Sequence, residues 1–362
     1  MDWKKIAIPI FIVIFLIGCA PSHQETIEIG GVFHLTGPGS FWGEGEKNGA
    51  ILAIEEINFA GGVHGEQLEM IIEDGKTDFP ETVNALKKLI NIDGVTVIVG
   101  PTWFGQVASP IAEETKTLII SPSAGVIPEP SSYFFDVWPT PYQEIAAQVD
   151  YMKQEGVNDV VLIYHLNDWS QTMKDEFVEK ATQKGMTIVK EYPLRNDEKD
   201  FKTIITQIKE LDIDAIYAPF AWYPSQGEFS KQKKELGLNI PLYSSSGTDN
   251  QHLLDAYPSI EGTVYAYPAK GPGEEEFTQK YLARFDALPS PPAAYAYDAI
   301  YLLAGAFNEG KESPEDIAAY LKGLKDYPGI SNTLTFNEHG RITQKTHIIK
   351  AVKNGEFAAL EE

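Results

Sequence analysis

Short runs of apolar, often β-branched residues alternate with longer amphipathic segments through most of the chain. This alternation is typical of βαβ units, in which parallel strands are joined by helices. Strands are predicted in the first part at 27–35, 68–73, 95–99 and 118–121. Helices are predicted between them at 45–59, 79–92 and 107–115.

The alternation stops at a proline-punctuated stretch, 137–141, and then starts again. Strands are predicted beyond it at 160–164, 187–192, 215–218, 242–244 and 263–267. The tail departs from strict alternation, with helices predicted at 274–285, 292–308 and 314–324 and strands at 333–336 and 346–352. The pattern therefore predicts an α/β protein with two doubly wound, Rossmann-like lobes.

The first residues have the pattern of a signal peptide. Lys4 and Lys5 precede an apolar run at 6–17 that only Pro9 interrupts. The run is shorter than the about 20 residues that a membrane-spanning helix needs. It ends in Leu-Ile-Gly-Cys, with the cysteine at position 19, which resembles a lipoprotein cleavage motif.

This resemblance implies cleavage after residue 18 and lipid attachment to the thiol of Cys19. Residues 1–18 are then the lipoprotein signal peptide, and 19–26 are a linker. The alternative is an ordinary signal peptide in which the cysteine is incidental. Either interpretation predicts export, and the first predicts a protein anchored in the cell membrane by lipid.

Composition indicates a folded protein and excludes some partners. Hydrophobic residues make up 43% and charged residues 22%, close to globular averages. Acidic residues outnumber basic ones 52 to 29, and this net charge of -23 would repel nucleic acid. The single cysteine allows no intrachain disulfide, and the seven histidines lack metal-site spacing. We therefore expect no metal and no nucleic-acid partner.

The sequence holds no recognisable catalytic or nucleotide-binding motif. The glycine-rich segment at 37–42 follows a predicted strand, but Trp42 occupies the third glycine position of a dinucleotide fingerprint. Glu44 and Glu46 would also repel a pyrophosphate. His165 at a strand end is more typical of a structural histidine than of a ligand-binding one. We therefore expect neither a cofactor nor enzymatic activity.

Aromatic residues are concentrated just after the predicted strands, where ligands bind in open α/β sheets. They are Trp42, Trp103, Phe104, Trp169, Trp222 and Tyr223. Such residues would expose apolar surface unless a cleft between the lobes covered them. The alternative is that each ring packs within its own loop.

Several segments, in this order, resemble the type I periplasmic binding proteins, specifically the leucine/isoleucine/valine-binding branch that feeds ABC importers. They are LTGPG at 35–39, GA at 49–50, EEIN at 55–58, GG at 61–62, GP at 100–101, ISPSA at 120–124 and FNEHG at 336–340. The resemblance spans residues 27–352 and implies two lobes joined by three crossovers, with solute bound between them.

The resemblance also implies a division of the chain. The crossovers are expected near 138–141, 266–269 and 336–338. Lobe 1 then comprises 27–138 with 269–336, and lobe 2 comprises 139–268 with 337–362.

At some of the site positions that the resemblance implies, this sequence has a residue of the type usual in the family. At others it has a different type. Stacking positions correspond to Trp42, Trp169, and Trp222 or Tyr223. The serine that holds an α-carboxylate corresponds to Trp103 or Phe104. The remaining ligand-binding positions correspond to Ser123, Gly125, Ser246 and Asp249.

Two of these changes bear on the ligand. Gly125 replaces a hydroxyl residue, and Ser246 stands near the acid that receives the α-ammonium, for which Asp249 could substitute. These changes remove groups that would bind the carboxylate and the ammonium of an amino acid. An amino acid and an aromatic acid, amide or other small organic solute therefore both remain candidates.

The sequence therefore predicts an exported, lipid-anchored solute-binding component of an ABC importer, with a permease and ATPase complex as partner. Two alternatives from other classes are a ligand-sensing subunit of a signalling system and an α/β enzyme.

Overall fold

The computed structural model describes residues 26–127, 131–196, 198–343 and 347–360. The predicted signal peptide, Cys19 and nearly all of the linker lie outside these residues. In the part that is described, no helix combines the length and the apolar composition needed to cross a membrane.

The secondary structure alternates as predicted over most of the chain. The strands are β1 (Thr26–Phe33), β2 (Gln67–Asp74), β3 (Val97–Val99), β4 (Leu118–Ser121), β5 (Phe134–Asp136), β6 (Asp159–His165), β7 (Thr187–Leu194), β8 (Ala215–Tyr217), β9 (Leu242–Ser244), β10 (Val264–Pro268), β11 (Tyr327–Pro328), β12 (Thr333–Leu334), β13 (His347–Lys353) and β14 (Glu356–Ala359). The α-helices are α1 (Ser40–Phe59), α2 (Phe79–Lys88), α3 (Gly105–Thr115), α4 (Pro141–Gln154), α5 (Asp168–Gln183), α6 (Lys202–Ile208), α7 (Tyr223–Glu235), α8 (Gln251–Ala256), α9 (Glu274–Phe285), α10 (Ala293–Asn308) and α11 (Pro314–Gly323).

The first lobe is built on a parallel sheet in the order β2-β1-β3-β4-β5. One face of this sheet packs in an apolar core with α1, α9, α10 and α11, and the other packs with α2 and α3. Strands covered on both faces are expected to be continuously apolar, and β4 is buried throughout.

The second lobe is built on a sheet in the order β14-β13-β10-β9-β8-β6-β7. The strands from β7 to β10 pair in parallel, whereas β13 pairs antiparallel with both β10 and β14. Helices α4 and α5 cover one face together with the core around Phe177 and Tyr217, whose rings stack at 4.0 Å.

On the other face of the second sheet, α6 and α7 pack in a separate apolar core. The two sheets are parallel except at β13 and β14 and carry helices on both faces, which is the predicted doubly wound α/β fold. The chain leaves the first sheet after β5 and enters the second. After β10 it returns to the first lobe, where α9, α10 and α11 pack against the first sheet, and it rejoins the second sheet at β13. Residues just before β13 still pair with the first lobe. Arg341 forms an isolated β-bridge with Asp136, and Ile342 forms one with Phe336. The exact boundaries of the lobes stay a prediction.

Some elements differ from the sequence prediction. Strand β5 lies just before the proline-punctuated stretch, where no strand was predicted, and β12 is shorter than the predicted 333–336. Helix α1 begins at Ser40 rather than at residue 45. Glycines within a helix normally weaken it, and α1 contains Gly43, Gly45 and Gly49.

Close packing explains the glycines in α1. A Cβ atom at Gly43 would lie 2.3 Å from the backbone oxygen of His34, and one at Gly49 would lie 2.1 Å from that of Ala293. The glycines therefore let α1 lie directly against the end of β1 and against α10. Tertiary contact offsets their low helix propensity, and it brings Trp42 into the first turn of the helix.

Candidate solute-binding site

A cavity of about 470 Å³ lies between the two lobes, at the carboxyl ends of their strands. Its size is within the usual range for small-molecule sites. It is lined by Pro38, Trp42, Thr77, Asp78, Phe79, Trp103, Phe104, Gln106, Ser123, Gly125, Val126, Trp138, Pro139, Pro141, Glu144, Leu166, Asn167, Asp168, Trp169, Asn196, Phe220, Ala221, Trp222, Tyr223, Gln226, Ser246, Gly247 and Asn250.

The structure brings nearly all of the predicted site residues to this cavity. They are Trp42, Trp103, Phe104, Ser123, Gly125, Trp169, Trp222, Tyr223 and Ser246. Trp42, Trp169 and Tyr223 belong to first helical turns rather than to loops. The first turn of a helix that follows a strand lies at the same edge of the sheet as the end of that strand. The predicted side chains therefore still meet at this edge.

The tryptophans form a connected wall that crosses from one lobe to the other. The ring of Trp42 lies 5.7 Å from that of Trp103 and 5.4 Å from that of Trp138. Trp103 of the first lobe meets Trp222 of the second in an edge-on contact at 6.0 Å. These rings therefore contact each other across the cleft, as expected of a closed arrangement of the lobes.

Trp103 has a left-handed backbone conformation, with φ of 62°. This conformation is uncommon and unfavourable for a bulky residue, so surrounding contacts must hold it. The neighbouring contacts hold it there, because the Trp103 N–H donates to the carbonyl oxygen of Ser123 and the ring packs edge-on against His34. The backbone therefore directs this indole into the cavity.

Glu144 is a cavity residue that sequence reasoning missed. It lies in the first turn of α4, which Thr140 caps in a reciprocal arrangement with Gln143. Its carboxylate accepts the backbone N–H and the hydroxyl of Ser246, both at 2.8 Å. Burial raises the pKa of Glu144 to about 7, although the two Ser246 hydrogen bonds favour the charged form.

Glu144 changes the interpretation of Ser246. The resemblance implied that an ammonium-binding acid had been lost at this position. The structure instead places an acid from another element directly against Ser246, on the cavity wall. The site thus contains a carboxylate able to pair with a cationic group.

Ser123 is engaged with a second buried acid behind the wall. The hydroxyls of Ser123 and Thr102 both donate to the carboxylate of Glu46, which is fully buried in α1. Glu46 does not line the cavity itself. It therefore positions the Ser123 side chain rather than offering a direct contact to a solute.

Two histidines stand behind the cavity and contribute no charge to it. Burial lowers the pKa of His34 to about 3 and that of His165 to about 4. His165 accepts the backbone N–H of Ala221 at 3.2 Å, so it supports the loop that carries Trp222. The structural interpretation of His165 fits this position.

Asp249 is the predicted site residue that the structure does not place among the lining residues of this cavity. A 3-10 turn at Ser246–Thr248 separates it from the cavity residues before it. Its carboxylate forms an ion pair with Lys350 and accepts the hydroxyl of Tyr265 at 2.7 Å. Asp249 therefore ties β10 and β13 together inside the second lobe.

Replacing Asp249 with asparagine should lower stability without changing solute affinity. The amide can still accept the Tyr265 hydroxyl, but the largely buried Lys350 ammonium loses its charged partner. A loss of about 2 kcal/mol is expected in the free energy of unfolding, measured by denaturant titration. A fall of tenfold or more in affinity would contradict this assignment.

The fold and site together define a class. Two doubly wound lobes enclosing one cavity, with aromatic walls from both, form a bilobed solute-binding protein whose ligand is held between the lobes. Comparison with known proteins then gives the family. The periplasmic binding protein family matches residues 26–356, and the chain belongs to that family.

Relatives cover nearly the whole chain. The Leu/Ile/Val-binding protein BraC3 of Rhizobium johnstonii is 27% identical over 94% of this chain and 96% of its own length. The branched-chain amino acid transporter substrate-binding protein LivJ of Streptococcus pneumoniae, solved with isoleucine, superposes with a TM-score of 0.85. It is 25% identical and covers 92% of this chain and 99% of its own.

A solute-binding protein from R. palustris, solved in complex with benzoate, shares the fold with a TM-score of 0.82. It is 19% identical and covers 92% of this chain and 95% of its own. The family is made up of solute-binding proteins, so the expectation that this chain is not an enzyme is confirmed by its membership.

Proposed function

We propose that the protein is the solute-binding component of an ABC importer, and that it takes an amino acid or related small organic solute into the cavity between its lobes. The observation that carries this proposal is the cavity itself, with walls contributed by both lobes. The importer would supply a permease and an ATPase as partners.

Solute binding favours the closed arrangement because only that arrangement contacts the solute from both sides. Trp103 and Trp222 belong to different lobes and contact each other in this structure, so we expect opening of the lobes to separate them. A solute that packs against both indoles stabilises the closed state by its differential affinity, and the closed protein is the form that the permease complex would distinguish from the open one.

Binding of an amino group is supported by Glu144, which is the buried carboxylate of the cavity. The relatives named above are described as binding leucine, isoleucine or valine, or were solved with isoleucine. The position that the resemblance associates with carboxylate binding is aromatic here. The cavity therefore offers a charged partner to the amino group of a solute but not to its carboxylate.

A thermal-shift screen of residues 20–362, which include all the described structure, tests the proposal. Amino acids, amines, amides and aromatic acids should each be offered. A ligand at 100 times its dissociation constant stabilises a protein by about 2.7 kcal/mol, so the true solute should stand out. A decrease in the radius of gyration on binding should accompany it. Chemical conversion of the bound solute would refute the proposal.

The lipid anchor is a separate part of the proposal and rests on the motif around Cys19. Replacing Cys19 with serine removes the thiol that accepts the lipid, so the variant should leave the membrane fraction or remain unprocessed. Fractionation of cells expressing each form, with detection of the protein, measures this. Normal processing with unchanged membrane retention would refute lipid attachment at this residue.

A further inference from the structure

The cavity carries negative charge without a compensating basic side chain among its described lining residues. Its ionisable carboxylates are Asp78 from the first lobe and Glu144 and Asp168 from the second. The histidines next to the wall are neutral, because burial lowers their pKa. A solute carboxylate placed here would therefore face like charges and no cation.

Three of the polar groups that could replace a basic residue are already engaged. The Ser123 hydroxyl donates to Glu46. The backbone N–H groups of Ala221 and Ser246 donate to His165 and Glu144, respectively. A buried carboxylate needs donors of this kind to offset its loss of hydration, and these three are not free to provide them.

The aromatic walls, in contrast, suit a positive charge. The five tryptophans of the described chain, Trp42, Trp103, Trp138, Trp169 and Trp222, all line this one cavity. The face of an indole attracts ammonium and quaternary ammonium groups, and surrounding aromatic rings are a recurring way to bind them. The rings of Trp42, Trp103 and Trp222 are linked at centroid distances of 5.7 and 6.0 Å.

Resting on the proposed function, we propose that the solute is an organic cation without a carboxylate, held by Glu144 and by the faces of the cavity tryptophans. Asp78 and Asp168 are exposed at the mouth of the cavity, one on each lobe. Carboxylates on both sides of a cleft raise the local concentration of cations and favour their entry. The inference thus concerns the charge of the solute, which family membership leaves open.

Matched compounds of one shape test the charge requirement. 3-Methylbutylamine is leucine without its carboxylate, and 4-methylpentanoate is leucine without its ammonium group. Titration calorimetry on residues 20–362 should show that the amine binds at least about tenfold more tightly than leucine and that the acid does not bind. Tighter binding of leucine or the acid would overturn the cation proposal.

Choline extends the panel to a quaternary ammonium group, which cannot donate a hydrogen bond. A primary amine site dominated by Glu144 should favour 3-methylbutylamine, whereas a site dominated by the rings should favour choline. Either preference supports a cation-binding cavity. Failure of both cations to bind at millimolar concentration would overturn the cation proposal.

The Glu144→Gln variant links binding to the acid. Glutamine has nearly the same shape and can keep hydrogen bonds to Ser246, so the fold should be retained. Amine affinity should fall by about 30-fold or more, while leucine should be affected less. Asp298→Asn is the matched control, because Asp298 is also buried and accepts a serine hydroxyl and backbone N–H groups, away from the cavity.

Equal amine affinity in Glu144→Gln and the unmodified protein would show that the Glu144 carboxylate does not bind the amine. The outcomes also separate this inference from the proposed function. Binding of leucine or the acid, with closure of the lobes, would retain a solute-binding protein and reject the cation. Absence of any binding and of closure across amines, acids and amino acids would reject both.

Discussion

Replacing Trp103 with alanine is expected to lower solute affinity by about 100-fold. The indole lines the cavity where the two lobes meet, in contact with Trp42 and with Trp222 of the opposite lobe. Truncating a central aromatic residue typically costs 2 kcal/mol or more, and about 2.7 kcal/mol corresponds to this change. Calorimetric titration with the tightest compound of the panel measures the effect.

Alanine is the suitable replacement because it keeps a Cβ atom at the left-handed backbone position of Trp103. Glycine would remove backbone strain as well as the ring, and the two effects could then not be separated. Trp103→Phe is the matched variant and should recover part of the affinity. An affinity within threefold of the unmodified protein in Trp103→Ala would show that the indole does not contact the solute.

The aromatic part of the site could be predicted from sequence because it follows from the topology. Once strands are parallel, their carboxyl ends share one edge, and residues that follow them converge there. Trp103 follows β3 and Trp222 follows β8, so short stretches of sequence place each of them. No long-range information is needed for such residues.

Glu144 could not be predicted in the same way. It lies in a helix, where a carboxylate is most often solvated, and nothing in its local pattern distinguishes it from exposed acids such as Glu55. Its position at the cavity depends on how the chain passes from β5 into α4 and on the packing of α4 against the turn that holds Ser246. Only the assembled lobe provides that contact.

Asp249 shows the opposite case, a predicted site residue that lies away from the cavity lining. Its closeness in sequence to Ser246 suggested the same wall of the cleft, but one 3-10 turn redirects the chain. The carboxylate is then satisfied by Lys350, a residue about a hundred positions later on an antiparallel strand. Sequence proximity was a poor guide here because a turn of three residues decides which way a side chain points.

The affinity for an amine is expected to fall by about 100-fold between pH 8 and pH 5. Burial raises the pKa of Glu144 to about 7, so the Glu144 carboxylate of the empty site loses its negative charge as the pH falls through that value. The amine itself stays protonated, with an ordinary pKa near about 10. Below pH 7, binding must therefore first ionise the acid, which costs about tenfold in affinity per pH unit.

The groups that contact or lie near Glu144 do not account for this pH dependence. Burial raises the pKa of Tyr217 well above its ordinary value, so it stays neutral in this range, and Ser246 does not titrate. Asp78 and Asp168 are the other carboxylates that line the cavity, and both are retained in Glu144→Gln. Calorimetry at several pH values should give a steep profile for the unmodified protein and a nearly flat one for Glu144→Gln. The same steep profile in both would contradict the assignment of the titrating group to Glu144.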